Sequence, residues 1–242
     1  MSDPDRSDLG LKIGIISYDY PHLKTEQLLH RLLLSNKLAN GPRFDIKLLA
    51  LPFSPRPMRE VLLAHRPDQE RSIPTRELAS RYGLDFAPCT YDSMPDVADL
   101  YLVAGAGIFR ETAIGKKKIL NVHPGIIPSA RGLDAFKWSI FEGVPLGVTL
   151  HTINAEVDAG EVIAIVKTPI FPSDTLELLA RRHYELELDV LCEFLSFLDR
   201  AVKLDPAAYP ENPPRMRMPI GTEKEMIAKF HEYKQKYATH TV

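Results

Sequence analysis

The stretch ILNVHPGIIPSARG, Ile119–Gly132, decides how this chain is read. It opens as a short apolar strand whose last residues are Asn121, Val122 and His123, followed by Pro124. Asn121 and His123 stand two apart, so an extended backbone puts both side chains on one face. Pro124 has no N–H to offer a ladder and stops strand pairing. His123 therefore falls near the strand's carboxyl end. Pro124, Gly125, Pro128 and Gly132 give the following residues a constrained, non-helical path.

Outward from this strand, apolar runs alternate with helical periods. Strands are predicted over 12–17, 45–51, 83–87, 99–104 and 118–122. Helices are predicted over 25–38, 76–82 and 133–142, the last with Gly143 as its C-cap. Residues 147–154 and 160–167 read as two strands joined by a turn. Ser173 is expected to cap the longest helix, whose apolar period runs from Leu176 to Leu198. A charged helix is expected over 223–237. The alternation indicates an α/β domain with a mostly parallel sheet. Ligands in such sheets bind beyond the carboxyl ends of the strands.

The chain has 242 residues and twenty prolines, five of them between Pro52 and Pro74 and five between Pro206 and Pro219. The second cluster reads as a linker. It divides the chain into a catalytic domain, 1–203, and a Pro-rich linker with a helical C-terminal extension, 204–242. Thirty basic against thirty-two acidic residues leave a net charge of −2, which gives no electrostatic footprint for nucleic acid. Two cysteines, Cys89 and Cys192, are too few for a disulfide framework or a thiolate metal cluster and read as free thiols in a reducing compartment. Met1–Gly10 is polar and acidic, unlike a secretory signal. The longest apolar run, Leu100–Phe109, is about half of the ~20 residues a membrane span needs. These features predict a soluble, cytoplasmic protein with no membrane or nucleic-acid partner.

Further along, His151 and Asp158 bracket another strand and turn, with Gly160 two residues on. An amide, an imidazole and a carboxylate suit acyl transfer. Asn121 can donate to a developing oxyanion, His123 can move a proton near neutral pH, and Asp158 can orient the imidazole. His151 reads equally well as a pocket-lining or a packed strand residue. Taken as metal ligands, His123, His151 and Asp158 lack the paired spacing of a metallohydrolase.

Asn121–Gly132 resembles the N-x-H-P-x-L-L-P-x-x-R-G signature of the formyltetrahydrofolate-dependent formyltransferases. Gly147–His151 is similar to that family's G-x-T-x-H segment, and Glu156–Ile163 to its D-x-G segment. Asn121 and Asp158 are 37 residues apart, as in the family. The resemblance implies a Rossmann-like formyltransferase fold with a short C-terminal extension. It implies Asn121, His123 and Asp158 as catalytic residues and 10-formyltetrahydrofolate as donor, with no metal. Folate would lie against Ala106, Gly107, Ile108 and Phe109, with His151 and Asp158 beside it.

The first strand ends in SYDYPHLKT, Ser17–Thr25, without the Gly-Ser-rich phosphate loop of the glycinamide ribonucleotide enzymes. Gly125 stands where the family often has Ser, and Ser129 and Ala130 replace bulkier residues. The C-terminal barrel of a methionyl-tRNA formyltransferase is not expected in a chain this short. The resemblance is thus strongest to the small nucleotide-sugar N-formyltransferases, which act on dTDP-4-amino-4,6-dideoxyhexoses such as dTDP-4-amino-4,6-dideoxyglucose in surface (lipopolysaccharide) polysaccharide synthesis. Tyr18, His22, Lys24 and Arg131 would then contact the acceptor. A homodimer is implied. The alternatives are a hydrolase of the same donor, a transferase for another small amine, a metallohydrolase, and a silent folate- or nucleotide-binding protein.

Overall fold

The expected alternation of strands and helices is present in the computed structural model, which describes residues 10–55, 59–154, 158, 160–199 and 208–239. The start of the chain read above as polar therefore lies outside the described residues, except Gly10. So do residues 204–207 at the head of the expected linker, and Glu156, Val157 and Ala159 around Asp158. The chain divides into one unit of Met1–Ser54 with Asp68–Leu120, and another of Pro55–Pro67 with Asn121–Val242.

The first unit contains β1 (Leu11–Tyr18), α1 (Leu23–Ser35), β2 (Phe44–Leu51), α2 (Thr75–Tyr82), β3 (Asp85–Pro88), β4 (Leu100–Val103), the short α3 (Glu111–Ile114) and the start of β5 (Ile119–His123). Its strands are ordered β3-β2-β1-β4-β5 and pair in parallel. The order reverses between β1 and β4, which leaves their carboxyl ends beside a topological switch point. Ile13, Ile15 and Ile16 of β1 and Leu48 and Leu49 of β2 have no exposed surface, as continuous apolar runs in a covered parallel sheet require. Gly83 is not the start of a strand. It closes α2 at φ +63°, a left-handed cap that glycine adopts without strain.

The second unit contains the end of β5, α4 (Ala135–Glu142), β6 (Gly147–Thr152), β7 (Val162–Lys167), α5 (Leu176–Cys192), α6 (Phe194–Leu198) and α7 (Ile220–Tyr237). Its strand order is β5-β6-β7. β6 and β7 are antiparallel, and their register slips between Leu150 and His151. Such a slip bends the ladder and can re-aim the side chain beside it. Gly143 caps α4 in the left-handed region at φ +65°, as the sequence suggested. Ser173 does not cap α5. Thr175 does, its hydroxyl accepting from the Leu178 N–H. Asp174 is occupied nearby, accepting from the Phe171 N–H and pairing through both oxygens with Arg182. The expected long helix also breaks at Glu193 into α5 and α6.

α7 packs its Met226, Phe230 and Tyr233 with Phe136, Ile140 and Leu179 in one apolar cluster. At its first turn Glu223 pairs with Lys137 of α4, and both side chains are almost wholly buried. The Glu223 carboxylate also accepts the Leu62 and Leu63 backbone N–H groups. Burial alone would raise its pKa, but the Lys137 ammonium and these two amides hold it below the usual glutamate range. Removing one member of a buried pair strands the other charge, at a cost of about 3–5 kcal/mol. Glu223→Ala should lower unfolding free energy by that amount in urea titration. Loss of under ~1 kcal/mol would show the pair to be dispensable.

Candidate functional site

β5 delivers Asn121 and His123, the shifted end of β6 delivers His151, and the turn before β7 delivers Asp158. The four side chains meet within the second unit. Asn121 Nδ2 lies 3.2 Å from His151 Nε2. His123 Nδ1 lies 3.4 Å from Asp158 Oδ1, and His151 Nε2 is 3.9 Å from the same oxygen. His123 and His151 are buried, whereas Asp158 keeps 15% of its side chain exposed. Asp158 sits at φ +48°, a left-handed conformation that costs a non-glycine residue energy and persists where surroundings hold it. The holding contact is the Gly132 N–H, which donates to Asp158 Oδ2 at 2.9 Å.

The hydrogen bonds fix the protons. His151 Nδ1–H donates to the Thr152 carbonyl at 2.8 Å, so its Nε2 carries the lone pair that accepts from Asn121. Burial, followed by the neighbouring His123, pushes the His151 pKa down to about 4, which keeps that lone pair at neutral pH. One N–H of the Asn121 amide is thereby engaged, and among the described residues the second is left for an incoming oxygen. His123 Nε2–H donates to the Ala130 carbonyl at 2.6 Å, which turns Nδ1 toward the Asp158 carboxylate. In its protonated form His123 satisfies both contacts at once. An amide donor, an imidazolium and a carboxylate then converge, which is an arrangement able to stabilise a developing oxyanion and to accept a proton.

The loop after β5 is held close. The Thr149 hydroxyl donates to the Gly125 carbonyl and accepts from the Ile127 N–H. A Cβ on residue 125 would stand 2.3 Å from the Ala130 oxygen and 2.9 Å from His123 Nε2. Glycine at this position therefore permits the His123–Ala130 contact. His183 of α5 supports the same loop, donating from Nε2 to the Pro124 carbonyl while its Nδ1 accepts from the Thr168 hydroxyl.

Residues 108–195, which contain all four of these side chains, match the family model for formyl transferases. That stretch of the chain is thus similar to the formyl transferases. Among curated proteins, the chain is 39% identical over 74 residues to a phosphoribosylglycinamide formyltransferase of Haemophilus influenzae, covering 30% of this chain and 35% of that one. It is 38% identical over 94 residues to a methionyl-tRNA formyltransferase of Koribacter versatilis, covering 38% and 29%. Among solved structures, a sugar N-formyltransferase from a Shewanella species superposes over 91% of this chain and 87% of its own, with a TM-score of 0.57 and 20% identity. That likeness shows a shared fold. The chain spans about a third of the length of the curated relatives named here.

Arg131 is half-buried on the loop after β5, in the second unit. Tyr18, His22, Lys24, Ala106, Gly107, Ile108 and Phe109 belong to the first unit. Tyr18 ends β1 with its ring edge-on to His22, and His22 Nδ1 hydrogen-bonds the Thr25 hydroxyl. Lys24 is buried in the first turn of α1. In the segment after β4, Ile108 is exposed and Phe109 buried. The Gly107 N–H donates to Tyr91 Oη at 3.1 Å. Tyr91 therefore shapes this segment, a role no local pattern signals. His151 as orienter of Asn121, and Gly132 as donor to Asp158, were likewise not legible as such. Among the described residues, no group of three or more His, Cys, Asp and Glu side chains is placed to hold a metal ion. No described helix is long and apolar enough to cross a membrane.

Burial also pushes the His183 pKa down to about 4. Below about pH 6.5 the unfolded chain protonates imidazoles that the folded chain keeps neutral. Stability is thus complete above pH ~6.5 and falls progressively toward pH ~4, by about 1.4 kcal/mol per pH unit for each such histidine. Melting temperatures recorded from pH 7.5 to pH 4.5 should decline below pH 6.5. A flat profile would show that His151 and His183 titrate normally.

Proposed function

We propose that this chain transfers the formyl group of 10-formyltetrahydrofolate to the primary amine of a nucleotide-linked amino sugar. The observation that carries the reading is the oriented Asn121 amide beside His123 and Asp158. The bound folate would supply an activated formyl carbon. The backbone of residues 106–109, with the Gly107 N–H given to Tyr91, suits a donor rich in amide and ring nitrogen groups. As the amine nitrogen bonds to the formyl carbon, Asn121 donates to the formyl oxygen, and the positive charge of protonated His123, held between Ala130 and Asp158, offsets the charge that develops there. Asp158 supports His123 and, through water, takes the proton the amine loses. The carbonyl then reforms, the bond to the folate nitrogen breaks, and that nitrogen leaves with the proton returned from Asp158 through water.

The amino-sugar acceptor is supported by the first strand, whose end has Tyr18, His22 and Lys24 instead of a Gly-Ser phosphate loop. The dTDP-linked 4-amino-4,6-dideoxy sugars of surface polysaccharide are the substrate class this reading names, with Arg131 as a further contact. The same reading makes the protein a cytoplasmic homodimer in which residues 1–203 form the catalytic domain.

Incubation with 10-formyltetrahydrofolate and a panel of nucleotide-linked amino sugars, read by mass spectrometry, should add one formyl group to one of them. Formate released without an acceptor would replace this reading by a hydrolase. His123→Asn and Asp158→Asn should each lower turnover by ~10²–10⁴ with little change in melting temperature, and near-parent turnover in either would remove the mechanism. Light scattering should give twice the chain mass, and a monomer would refute the dimer.

A further inference from the structure

The Pro-rich segment ahead of α7 does not run free as a linker. From Pro210 to Met218 it is bonded along one edge of the loop 128–134. The Ser129 hydroxyl donates to the Pro210 carbonyl. Asn212 gives its backbone N–H to the Pro128 carbonyl and its side-chain amide to the Ser129 carbonyl, at 3.3 and 2.8 Å. The Arg215 N–H donates to the Arg131 carbonyl, the Leu133 N–H donates back to the Arg215 carbonyl, and the Met218 N–H donates to Asp134 Oδ2. Arg215 pairs with Glu142 of α4 and lies over Trp138, whose ring N–H donates to the Met216 carbonyl.

The loop's remaining groups face the other way. Residues 129, 131 and 133 turn polar backbone groups to the Pro-rich segment. Ala130 turns its carbonyl to His123 Nε2, and Gly132 turns its N–H to Asp158 Oδ2. Residues 129–133 thus face the Pro-rich segment on one side and His123 and Asp158 on the other.

We propose that residues 210–218 set the position of His123 and Asp158 through this loop, with Asn212 as the principal positioning residue. In its kinetic form the proposal rests on the formyl-transfer reading above. Asn212 touches neither catalytic side chain in the described contacts. It fixes the two residues preceding the Ala130 carbonyl that His123 requires.

The test uses the full chain with Asn212→Ala, and with Asn212→Asp, which keeps the shape but removes the donor. Both should lower kcat by ~10–100-fold with an unchanged KM for the folate donor, since small displacements of reacting groups cost rates of that order. Asn212→Gln, which keeps the amide, should recover part of the loss. A second readout needs no substrate. The His123 ring N–H held by Ala130 should exchange with solvent at least ~10-fold faster in both donor-less variants. The His183 ring N–H held by Pro124 should stay as in the parent. Parent-like kcat and exchange overturn the proposal. So does loss of both histidine signals with a collapsed melting temperature, which would make Asn212 merely structural. Faster His123 exchange in a protein that transfers no formyl group upholds the positioning role and rejects the formyl-transfer reading instead.

Discussion

The buried ion pair between Lys137 and Glu223 is the constraint on which the second unit depends. Two opposite charges removed from water tolerate one another only when nearly every polar valence is met. Glu223 meets this condition by gathering the Lys137 ammonium and the Leu62 and Leu63 amides. The same carboxylate therefore gathers α4, α7 and the segment around residue 62. These are parts of the chain that sequence distance would otherwise leave independent. With α7 fixed, the residues just before it have a defined course, and they lie along the loop that follows β5.

The site shows how little freedom is left once that frame is in place. The Thr152 carbonyl selects the tautomer of His151, that tautomer orients the Asn121 amide, and the Ala130 carbonyl orients His123. His123 and Asp158 are aimed by backbone atoms, the Ala130 carbonyl and the Gly132 N–H, and Asn121 by a side chain whose tautomer the backbone selects. Backbone positions are set by secondary structure and packing, so the aim is rigid. Such preorganisation is what makes fixed dipoles effective toward charge that forms during reaction.

Much of this was legible in the sequence, for identifiable reasons. The β5 strand end, the pairing of Asn121 with His123 on one face, and Gly143 as a cap all follow from local geometry. Elements whose fate depends on distant partners were not legible. Lys137 sits in a helix where a lysine ordinarily reads as solvent-facing, and nothing nearby reports that Glu223 will meet it. Ser173 had the right chemistry for a cap, but the chain entered the helix two residues later, at Thr175. The break at Glu193 has no proline or glycine to announce it. Proline density after residue 205 suggested a linker because proline donates no hydrogen bond. It left out that proline carbonyls still accept, and that Asn212, Arg215 and Met218 keep their own N–H groups.

The distance in sequence between the loop and the Pro-rich segment bonded to it has a consequence for biogenesis. Ser129 and Asn212 are 83 positions apart. At ordinary rates of translation, the loop leaves the ribosome on the order of ten seconds before the residues that complete it. During that interval the nascent chain carries its histidines and aspartate without the far edge that arrays them. The contacts along residues 128–134 are therefore completed late in synthesis, and a chain that stalls before Asn212 would hold the motif without them.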